Sequence, residues 1–335
     1  MQLIQHRAYA RAGLIGNPSD GYHGKTISIT VRNFWAEAVL YEWEDVEVVW
    51  SREDQSRFRS LDDLVHDVRL HGYYGGIRLV KATIKKFVED CRRAGRPLHR
   101  RNFAIRYDTN IPRAVGLAGS SAIITATLRC LMDFYEVSIP KEVQPSLALS
   151  VETDELGIAA GLQDRVIQAY EGVVQMDFAA ERMREIDGFP CGIYTPLETA
   201  LLPPLYLAYS AEVGEPTEMV HNDLRARYER GEPQVLAAMQ RFAAITDEAA
   251  EAITRGNHRR LDQLINENFD LRRKICRISD AQLDMVLRAR SSGCSAKFAG
   301  SGGAIIGLCP EDQSFDRLRN TLEPDFHVIR PKITH

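Results

Sequence analysis

The residues from Asn110 to Cys130, NIPRAVGLAGSSAIITATLRC, place a proline, two glycines and two adjacent serines just ahead of an apolar run. Backbone N–H groups at the start of a helix are unpaired and carry the positive end of the helix dipole, and glycines before them let the main chain wrap around an anion. Ser120 and Ser121 could cap the helix or offer a hydroxyl to a metal held by phosphate. The segment therefore predicts a phosphate site, and a capped helix after an ordinary loop is the alternative.

A second stretch, SDGYHGKT from Ser19 to Thr26, nearly matches the phosphate-binding pattern G-x-x-x-x-G-K-[ST], with Ser19 in place of the first glycine. That pattern requires a helix directly after its Lys and Ser or Thr. Here ISITVRNFWAEAVL follows, and its β-branched and aromatic residues predict strand. The stretch is therefore rejected as a phosphate site.

Length and composition limit the class of protein. The chain has 335 residues, 44% hydrophobic and 26% charged, enough for two packed domains. A net charge of −4 gives no reason to expect nucleic acid or an anionic membrane as a partner. No apolar run approaches the roughly 20 residues of a membrane span, and the N-terminal residues lack an apolar signal core. The six cysteines show no C-x-x-C pair and no metal-ligand spacing, so they predict reduced thiols of a cytoplasmic protein without a structural metal.

The local patterns predict an α+β fold. Short runs rich in β-branched and aromatic residues predict strands, and apolar residues at helical spacing predict helices. The predicted strands cover residues 25–31, 34–41, 45–50, 103–108, 172–178 and 205–210, and the predicted helices in the first half cover 76–94, 120–135, 146–158 and 162–170. The segment AKFAGSGGAIIGLC near the end predicts two strands around a glycine-rich turn. A Pro- and Gly-rich stretch from 187 to 204 suggests a boundary between domains 1–195 and 200–335.

Three segments, in the same order along the chain, resemble the motifs of the GHMP small-molecule kinases. The first motif, AYARAGLIGNPSDGYHG (residues 8–24), resembles A-P-G-R-x-x-L-I-G-E-H-x-D. The second, PRAVGLAGSSA (112–122), resembles P-x-x-x-G-L-x-x-S-S-A, and the third, SAKFAGSGGAIIG (295–307), resembles G-A-K-x-x-G-x-G-G-G. The resemblance implies the two-domain GHMP kinase architecture. Its N-terminal domain would have a fold like domain 2 of ribosomal protein S5, its C-terminal domain would be ferredoxin-like, and the active site would lie between them.

The resemblance implies ATP and Mg²⁺ as cofactors. Glu152 stands twelve positions before Asp164, as an acidic residue does in galactokinase-like members, and would share the metal with Ser121, while Asp154 and Glu155 are the alternatives. One carboxylate, one hydroxyl and the nucleotide phosphates suit a Mg²⁺ ion that keeps several waters.

The glycine-rich turn, Gly300 to Gly303, is implied to approach the nucleotide, and a plain hairpin is the alternative. The residues implied to bind the nucleotide are Pro112, Arg113, Gly116, Leu117, Ala118, Gly119, Ser120, Ser121, Ala122, Gly300, Ser301, Gly302 and Gly303.

Two further residues are implied to be catalytic. Asp164, in AAGLQDRV, would receive the proton of the acceptor hydroxyl, although a loose transition state lets that proton move late, so Asp164 would chiefly orient the hydroxyl. Arg11 stands where the first motif carries a cation and would offset the charge developing on the sugar oxygen. As alternatives, Asp164 would be a surface partner of Arg165 and Arg11 a surface arginine.

The sugar end of the site departs from the galactokinase pattern. Galactokinases have Glu-His where this chain has Asn17-Pro18, and a neutral amide donor there would not repel a carboxylate on the substrate. Asp20 keeps the aspartate of the motif and would accept hydrogen bonds from sugar hydroxyls, whereas a simple turn is the alternative for all four residues. The cation that would meet the substrate carboxylate is left open among Arg7, Arg78, Arg113 and Arg225.

The segments GNPSD, TISITVRNFWA, GYYGGIRL and ELGIAAGLQDRV resemble the family members that phosphorylate the anomeric hydroxyl of D-glucuronate. The implied partners are therefore a small sugar acid and ATP, without nucleic acid or membrane, in a monomer or a homodimer. The alternatives are the same reaction on galacturonate, galactose or a heptose phosphate, and an inactive regulator that binds nucleotide or sugar. The sugar-type first motif argues against the decarboxylase branch of the family.

Overall fold

The computed structural model describes residues 3–49, 76–210, 218–309 and 311–334. The strands of the first half are β1 (Leu3–Ile15), β2 (Lys25–Trp43), β3 (Glu47–Val48), β4 (Asn102–Thr109), β5 (Val173–Asp177), β6 (Arg184–Ile186), β7 (Phe189–Cys191) and β8 (Ile193–Leu197). All but the β6–β7 hairpin form one sheet around β2. Strand β2 pairs with β1 along one edge, and along the other edge with β4 and β5.

Strand β2 continues through the two strands predicted at residues 25–31 and 34–41. Tyr9 pairs with Trp35 and the next residue, Ala10, pairs with Val31, so residues 32–34 form an irregularity in β2 rather than a break. This long strand is the reason why the Lys25-Thr26 pair cannot begin a phosphate-binding helix. Of the strand predicted at 45–50, only the short β3 forms among the described residues, and Trp50 lies outside them.

Within the described residues of the first half there are four helices, and they confirm the helices predicted there. Helix α2 packs directly on β1 and β2, and its apolar residues are buried in the main core. The third helix continues through a π-helical turn, Val151–Glu155, which carries Glu152. The four helices are α1 (Gly76–Arg93), α2 (Gly119–Tyr135), α3 (Gln144–Ser150) and α4 (Leu162–Tyr170). Residues 72–75 of the stretch GYYGGIRL lie outside the described residues.

The second half is an antiparallel sheet with helices. Its elements are β9 (Leu205–Ser210), α5 (Glu218–Glu229), α6 (Pro233–Thr254), α7 (His258–Ile275), α8 (Asp280–Ser291), β10 (Lys297–Phe298), β11 (Ala304–Leu308), α9 (Asp312–Leu322) and β12 (Phe326–Ile329). The strand order is β10-β11-β9-β12. The predicted strand, glycine-rich turn and strand near the end of the chain correspond to β10 and β11 and are confirmed.

The two halves meet where the motifs lie. The backbone N–H of Gly13 in β1 donates to the carbonyl of Ala299 beside the glycine-rich turn, at 2.7 Å. The last strand of the first sheet ends at Leu197 and the first strand of the second sheet begins at Leu205. The domain bounds 1–195 and 200–335 stay predictions. Within the described ranges, no helix is both long and apolar enough to cross a membrane.

Candidate active site

The predicted phosphate loop, the segment 112–122 of the second motif, enters helix α2 through three residues with left-handed backbone. Ala114 has φ 57°, Gly116 has φ 78° and Ala118, which precedes the helix, has φ 64°. Left-handed residues are uncommon outside glycine, and their recurrence at alternate positions curls the chain so that successive N–H groups face a common concavity. The loop therefore has the backbone shape of an anion site, and it ends at the positive end of a 17-residue helix.

The glycine-rich turn presses against this loop. A Cβ atom on Gly300 would lie 2.3 Å from the carbonyl oxygen of Gly116, and one on Gly303 would lie 2.7 Å from Cα of Val115. On the other side, a Cβ on Gly116 would meet Oγ of Ser301 at 2.5 Å. The glycines of the second and third motifs are thus required by the close approach of two backbone segments that are far apart in sequence.

Glu152 is the buried acid at the start of helix α2. It is 1% exposed, forms an ion pair with the equally buried Arg165, and accepts a 2.8 Å hydrogen bond from the exposed Ser120 hydroxyl. The hydroxyl of Ser121 is buried and donates to the carbonyl of Ala118 at 3.2 Å. The serine that bonds to Glu152 in this structure is therefore Ser120, whereas the sequence paired Glu152 with Ser121. Metal binding by Glu152 and Ser121 stays a prediction.

Asp164 lies in the first turn of helix α4 and points towards strand β1. Its Oδ1 is 2.5 Å from Nη2 of Arg11, and its Oδ2 is 3.5 Å from Nη1 of Arg165. Arg11 is buried and also donates to the carbonyl of Ala299 at 2.6 Å. The backbone N–H of Arg11 donates to the carbonyl of Leu117 in the phosphate loop. Asp164 and Arg11, which the sequence predicted as the catalytic pair, are thus in contact and adjoin both glycine-containing motifs.

Asp20 lies on a short 3₁₀ turn, Ser19–Tyr22, that faces the start of helix α4. A Cβ on Gly161 would lie 2.8 Å from Oδ2 of Asp20, so this glycine allows the two segments to approach. Burial raises the pKa of Asp20 to about 6; the Asp164 carboxylate adds to the rise and the Arg11 guanidinium opposes it. Asp20 therefore belongs to the same electrostatic group as the Arg11–Asp164 pair.

Asn17 is buried beside this group and is fixed from two directions. Its Oδ1 accepts a 2.5 Å hydrogen bond from Nζ of Lys297, and its backbone carbonyl accepts from Nδ2 of Asn268 at 3.1 Å. Lys297 was not among the site residues predicted from the sequence, although its place in the third motif was a signal. Asn268 lies on helix α7, outside the motifs, and nothing in the sequence singled it out.

Two of the four arginines that the sequence left open, Arg7 and Arg225, have different surroundings. Arg7 is paired with Glu37 at 2.6 Å and lies over the ring of Trp35. Arg225 lies against the 3₁₀ turn, over the ring of Tyr22 and 3.5 Å from the carbonyl of Gly21. Arg225 therefore lies beside the predicted sugar-binding residues, whereas Arg7 is paired with Glu37 in the half of β1 that precedes Arg11.

The donors near Glu152 fit a magnesium ion shared with a nucleotide. The Glu152 carboxylate and the Ser120 hydroxyl that bonds to it are hard oxygen ligands of the kind that Mg²⁺ takes together with water and phosphate, and Ser121 is the next residue of the helix. Among the residues that the structure describes, no group of three or more His, Cys, Asp or Glu side chains could hold a metal ion. Bound nucleotide would have to complete the coordination.

Comparison with known proteins gives matches over most of the chain. The family model "GHMP kinases N terminal domain" matches residues 78–172, and "GHMP kinases C terminal" matches residues 249–327. The chain is 44% identical to Glucuronokinase 1 of Arabidopsis thaliana over 322 residues, which are 94% of this chain and 87% of that protein. It is 46% identical to Probable glucuronokinase 2 of the same plant over 325 residues, with the same coverage of both chains.

Among solved structures, mevalonate kinase of Methanococcus jannaschii superposes with a TM-score of 0.73. The superposition covers 100% of this chain and 99% of that chain at 17% sequence identity. At that identity the likeness shows the fold alone, and it confirms the two-domain architecture predicted from the order of the motifs.

Proposed function

Because the chain belongs to the GHMP kinase family, as its three motifs predicted, we propose that it transfers the γ-phosphate of ATP to the anomeric hydroxyl of D-glucuronate. The products would be ADP and glucuronate 1-phosphate. The observation that carries the proposal is the 44–46% identity to two proteins named as glucuronokinases over 94% of the chain. The contact between Asp164 and Arg11 beside the phosphate loop supports the type of reaction.

The phosphate loop and the N-terminus of helix α2 would hold the triphosphate. Their backbone N–H groups provide fixed positive dipoles for phosphate oxygens, and the glycine-rich turn holds the loop in its curled form. Glu152 and Ser121, with Ser120 beside them, would hold Mg²⁺, and the bound ion would neutralise charge on the transferring phosphate.

Asp164 would align the sugar hydroxyl with the γ-phosphate and accept its proton as the bond to phosphorus forms. The 2.5 Å ion pair fixes this carboxylate in position, and Arg11 places positive charge near the oxygens between which the phosphoryl group moves. Since phosphoryl transfer has a loose transition state, the main work of this pair is orientation and charge stabilisation. The transfer is direct, without a phosphoenzyme.

A substrate panel tests the proposal. ADP release should be fastest with D-glucuronate, compared with galacturonate, galactose and a heptose phosphate at equal concentrations. Release that is independent of any sugar, or highest with a neutral or phosphorylated sugar, would contradict the choice of substrate. If none of these sugars causes ADP release, the alternative of an inactive regulator that binds nucleotide or sugar is favoured instead.

The phosphate loop gives a prediction for Gly116. Changing Gly116 to Ala should raise the KM for ATP at least about ten-fold, because the left-handed backbone disfavours a side chain and the new Cβ would strike Ser301. Gly293→Ala is the matched control: its φ of 84° imposes the same backbone penalty, but nothing lies within 4 Å of the added Cβ. Equal KM values for the two variants would separate Gly116 from nucleotide binding.

Asp20 gives a prediction about pH. Since the folded-state pKa is raised to about 6, this carboxyl is mostly protonated below pH 6, and one of its two acceptor oxygens is then a hydroxyl donor instead of an acceptor for sugar hydroxyls. We expect kcat/KM for the sugar to fall as pH drops through 6, and the Asp20→Asn variant to be slower but to lack this limb. An unchanged limb in that variant would assign the titration to another group.

The raised pKa of Asp20 also makes the stability of the folded state depend on pH. Between about pH 4 and 6 the folded state holds a proton on Asp20 that the unfolded chain has released, so this group makes the protein less stable as pH rises through that window. Asp20→Asn should remove this contribution, which thermal denaturation at pH 4.5 and 7 would measure.

We also propose a reducing, cytoplasmic location, because all six cysteines are free thiols in the structure. Five of them are buried. A monomer or a homodimer fits the proposed activity equally well, and sedimentation would distinguish them.

A further inference from the structure

Lys297 is a lysine buried between the two motifs that frame the sugar end of the site. It is 1% exposed, on strand β10. Its Nζ lies 2.6 Å from the carbonyl oxygen of Gly13, 2.5 Å from Oδ1 of Asn17 and 2.7 Å from the carbonyl oxygen of Phe298. None of these three acceptors carries a formal charge.

The three contacts define the state of the amine. Each acceptor is a carbonyl-type oxygen without a hydrogen, so three N–H donors are needed, and only the ammonium form has three. A buried ammonium ordinarily has a carboxylate partner, because the cost of burying a charge is otherwise offset only by hydrogen bonds. At Lys297 the partners are neutral, and its positive charge is left uncompensated by direct contact.

The other charged groups around Lys297 do not cancel its charge, since Asp164 pairs with Arg11 and Asp20 faces two arginines as well as the lysine. Arg272 on helix α7 and Arg11 on β1 are the facing cations, and Asp20 is the facing acid. Burial lowers the pKa of Lys297 well below its usual value, and the two arginines lower it further. An anion bound nearby would relieve that repulsion and stabilise the ammonium.

Lys297 is in direct contact with Asn17, one of the residues predicted to bind the sugar. Oδ1 of Asn17 accepts from Lys297, and its Nδ2 donates a long hydrogen bond, 3.4 Å, to the carbonyl of Phe298, which also accepts from Nζ of Lys297. An amide nitrogen has two hydrogens, so Asn17 retains donor capacity. A glutamate at position 17 would instead pair with Lys297 and cancel its charge.

We propose that Lys297 acts through Asn17 as the positioning residue that selects a sugar acid over the corresponding neutral sugar. It fixes the amide as a donor and places one uncompensated positive charge behind it. The inference rests on the proposed function and adds the cation that the sequence could not identify.

The test compares D-glucuronate with D-glucuronamide, a neutral analogue of the same shape. The measured quantity is the ratio of their KM values, or of inhibition constants where the amide is not turned over. In Lys297→Met the preference for the acid should fall at least about ten-fold, mainly through KM, because a unit charge close to the bound carboxylate is lost. In Lys297→Arg the preference should be retained to a larger degree.

One control variant and one fallback variant keep the result decisive. Lys25→Met removes a lysine that pairs with Asp247 and should leave the preference unchanged. A purely structural role of Lys297 would weaken both ligands equally and leave the ratio at its wild-type value, which would overturn the inference. If Lys297→Met does not fold, Lys297→Gln removes the same charge while keeping a polar side chain, and the same ten-fold loss is expected.

The wild-type reaction separates this inference from the proposed function. A wild-type enzyme that phosphorylates D-glucuronate without preference over the amide, or with a preference that Lys297→Met and Lys297→Gln do not alter, would overturn only the inference. A wild-type enzyme that does not phosphorylate D-glucuronate would overturn the proposed function and the inference with it.

Discussion

Asp164→Asn should lower kcat with D-glucuronate by about 10²- to 10⁴-fold, the range that a positioned proton acceptor contributes. The amide oxygen of asparagine can still accept the hydrogen bond from Arg11, so the helix and the phosphate loop keep their positions. The KM for ATP should therefore change little. Steady-state kinetics with both substrates, together with a melting curve, measures each part of this expectation.

A matched control is Asp133→Asn, which removes a carboxylate on the exposed part of helix α2 whose Oδ2 lies 2.6 Å from Nε2 of His6. It should retain wild-type activity. If Asp164→Asn is as active as Asp133→Asn, Asp164 has no part in proton transfer or orientation. If it loses activity only because it no longer folds, the melting curve will show it.

Arg165→Met should lower the free energy of unfolding by about 3–5 kcal/mol, because it leaves the buried carboxylate of Glu152 without its cation. The hydroxyl of Ser120 would remain as its hydrogen-bond donor. The double variant Glu152→Gln/Arg165→Met removes both charges together and should recover most of the lost stability. Urea denaturation of the two variants and the wild type gives the comparison.

Activity separates the structural role of this pair from the proposed metal site. The double variant should be stable but inactive, since Glu152→Gln removes the carboxylate proposed to hold Mg²⁺. A stable and fully active double variant would contradict that role for Glu152. A loss of less than about 1 kcal/mol in Arg165→Met would mean that solvent reaches Glu152 more freely than the structure indicates.

Local patterns predicted most elements of the first half but missed its first strand and the three short strands β6, β7 and β8, of which β7 and β8 lie in the stretch taken as a domain boundary. In β1 the residues Ala8, Ala10 and Ala12 alternate and are almost completely buried. Alanine has weak strand propensity, so the segment lacks the β-branched signal that identified β2. Its period-2 spacing was the available clue. Small side chains suit this strand, because helix α2 packs directly on it.

For the site, the sequence identified individual residues, and the structure showed which of them are in contact. The motifs named Asp164, Arg11 and the phosphate loop, and the structure brings them together. Which serine faces Glu152 could not be predicted, because adjacent helical residues point about 100° apart and the answer depends on where an acid 32 positions away lies.

Residues that act through others were the hardest to identify. Lys297 and Asn17 are 280 positions apart, and their contact depends on how the glycine-rich turn docks against β1. A lysine in a strand carries no local signal of burial, since lysine is rarely buried at all. Only the packed structure reveals that its three donors have neutral partners.

The central claim is that this chain phosphorylates the anomeric oxygen of D-glucuronate, and the ³¹P NMR spectrum of the product tests it most directly. After incubation with ATP, Mg²⁺ and D-glucuronate, we expect a new phosphate resonance coupled to the anomeric proton, together with ADP. A spectrum with ADP and inorganic phosphate alone, or with phosphate coupled to another sugar proton, would contradict the claim.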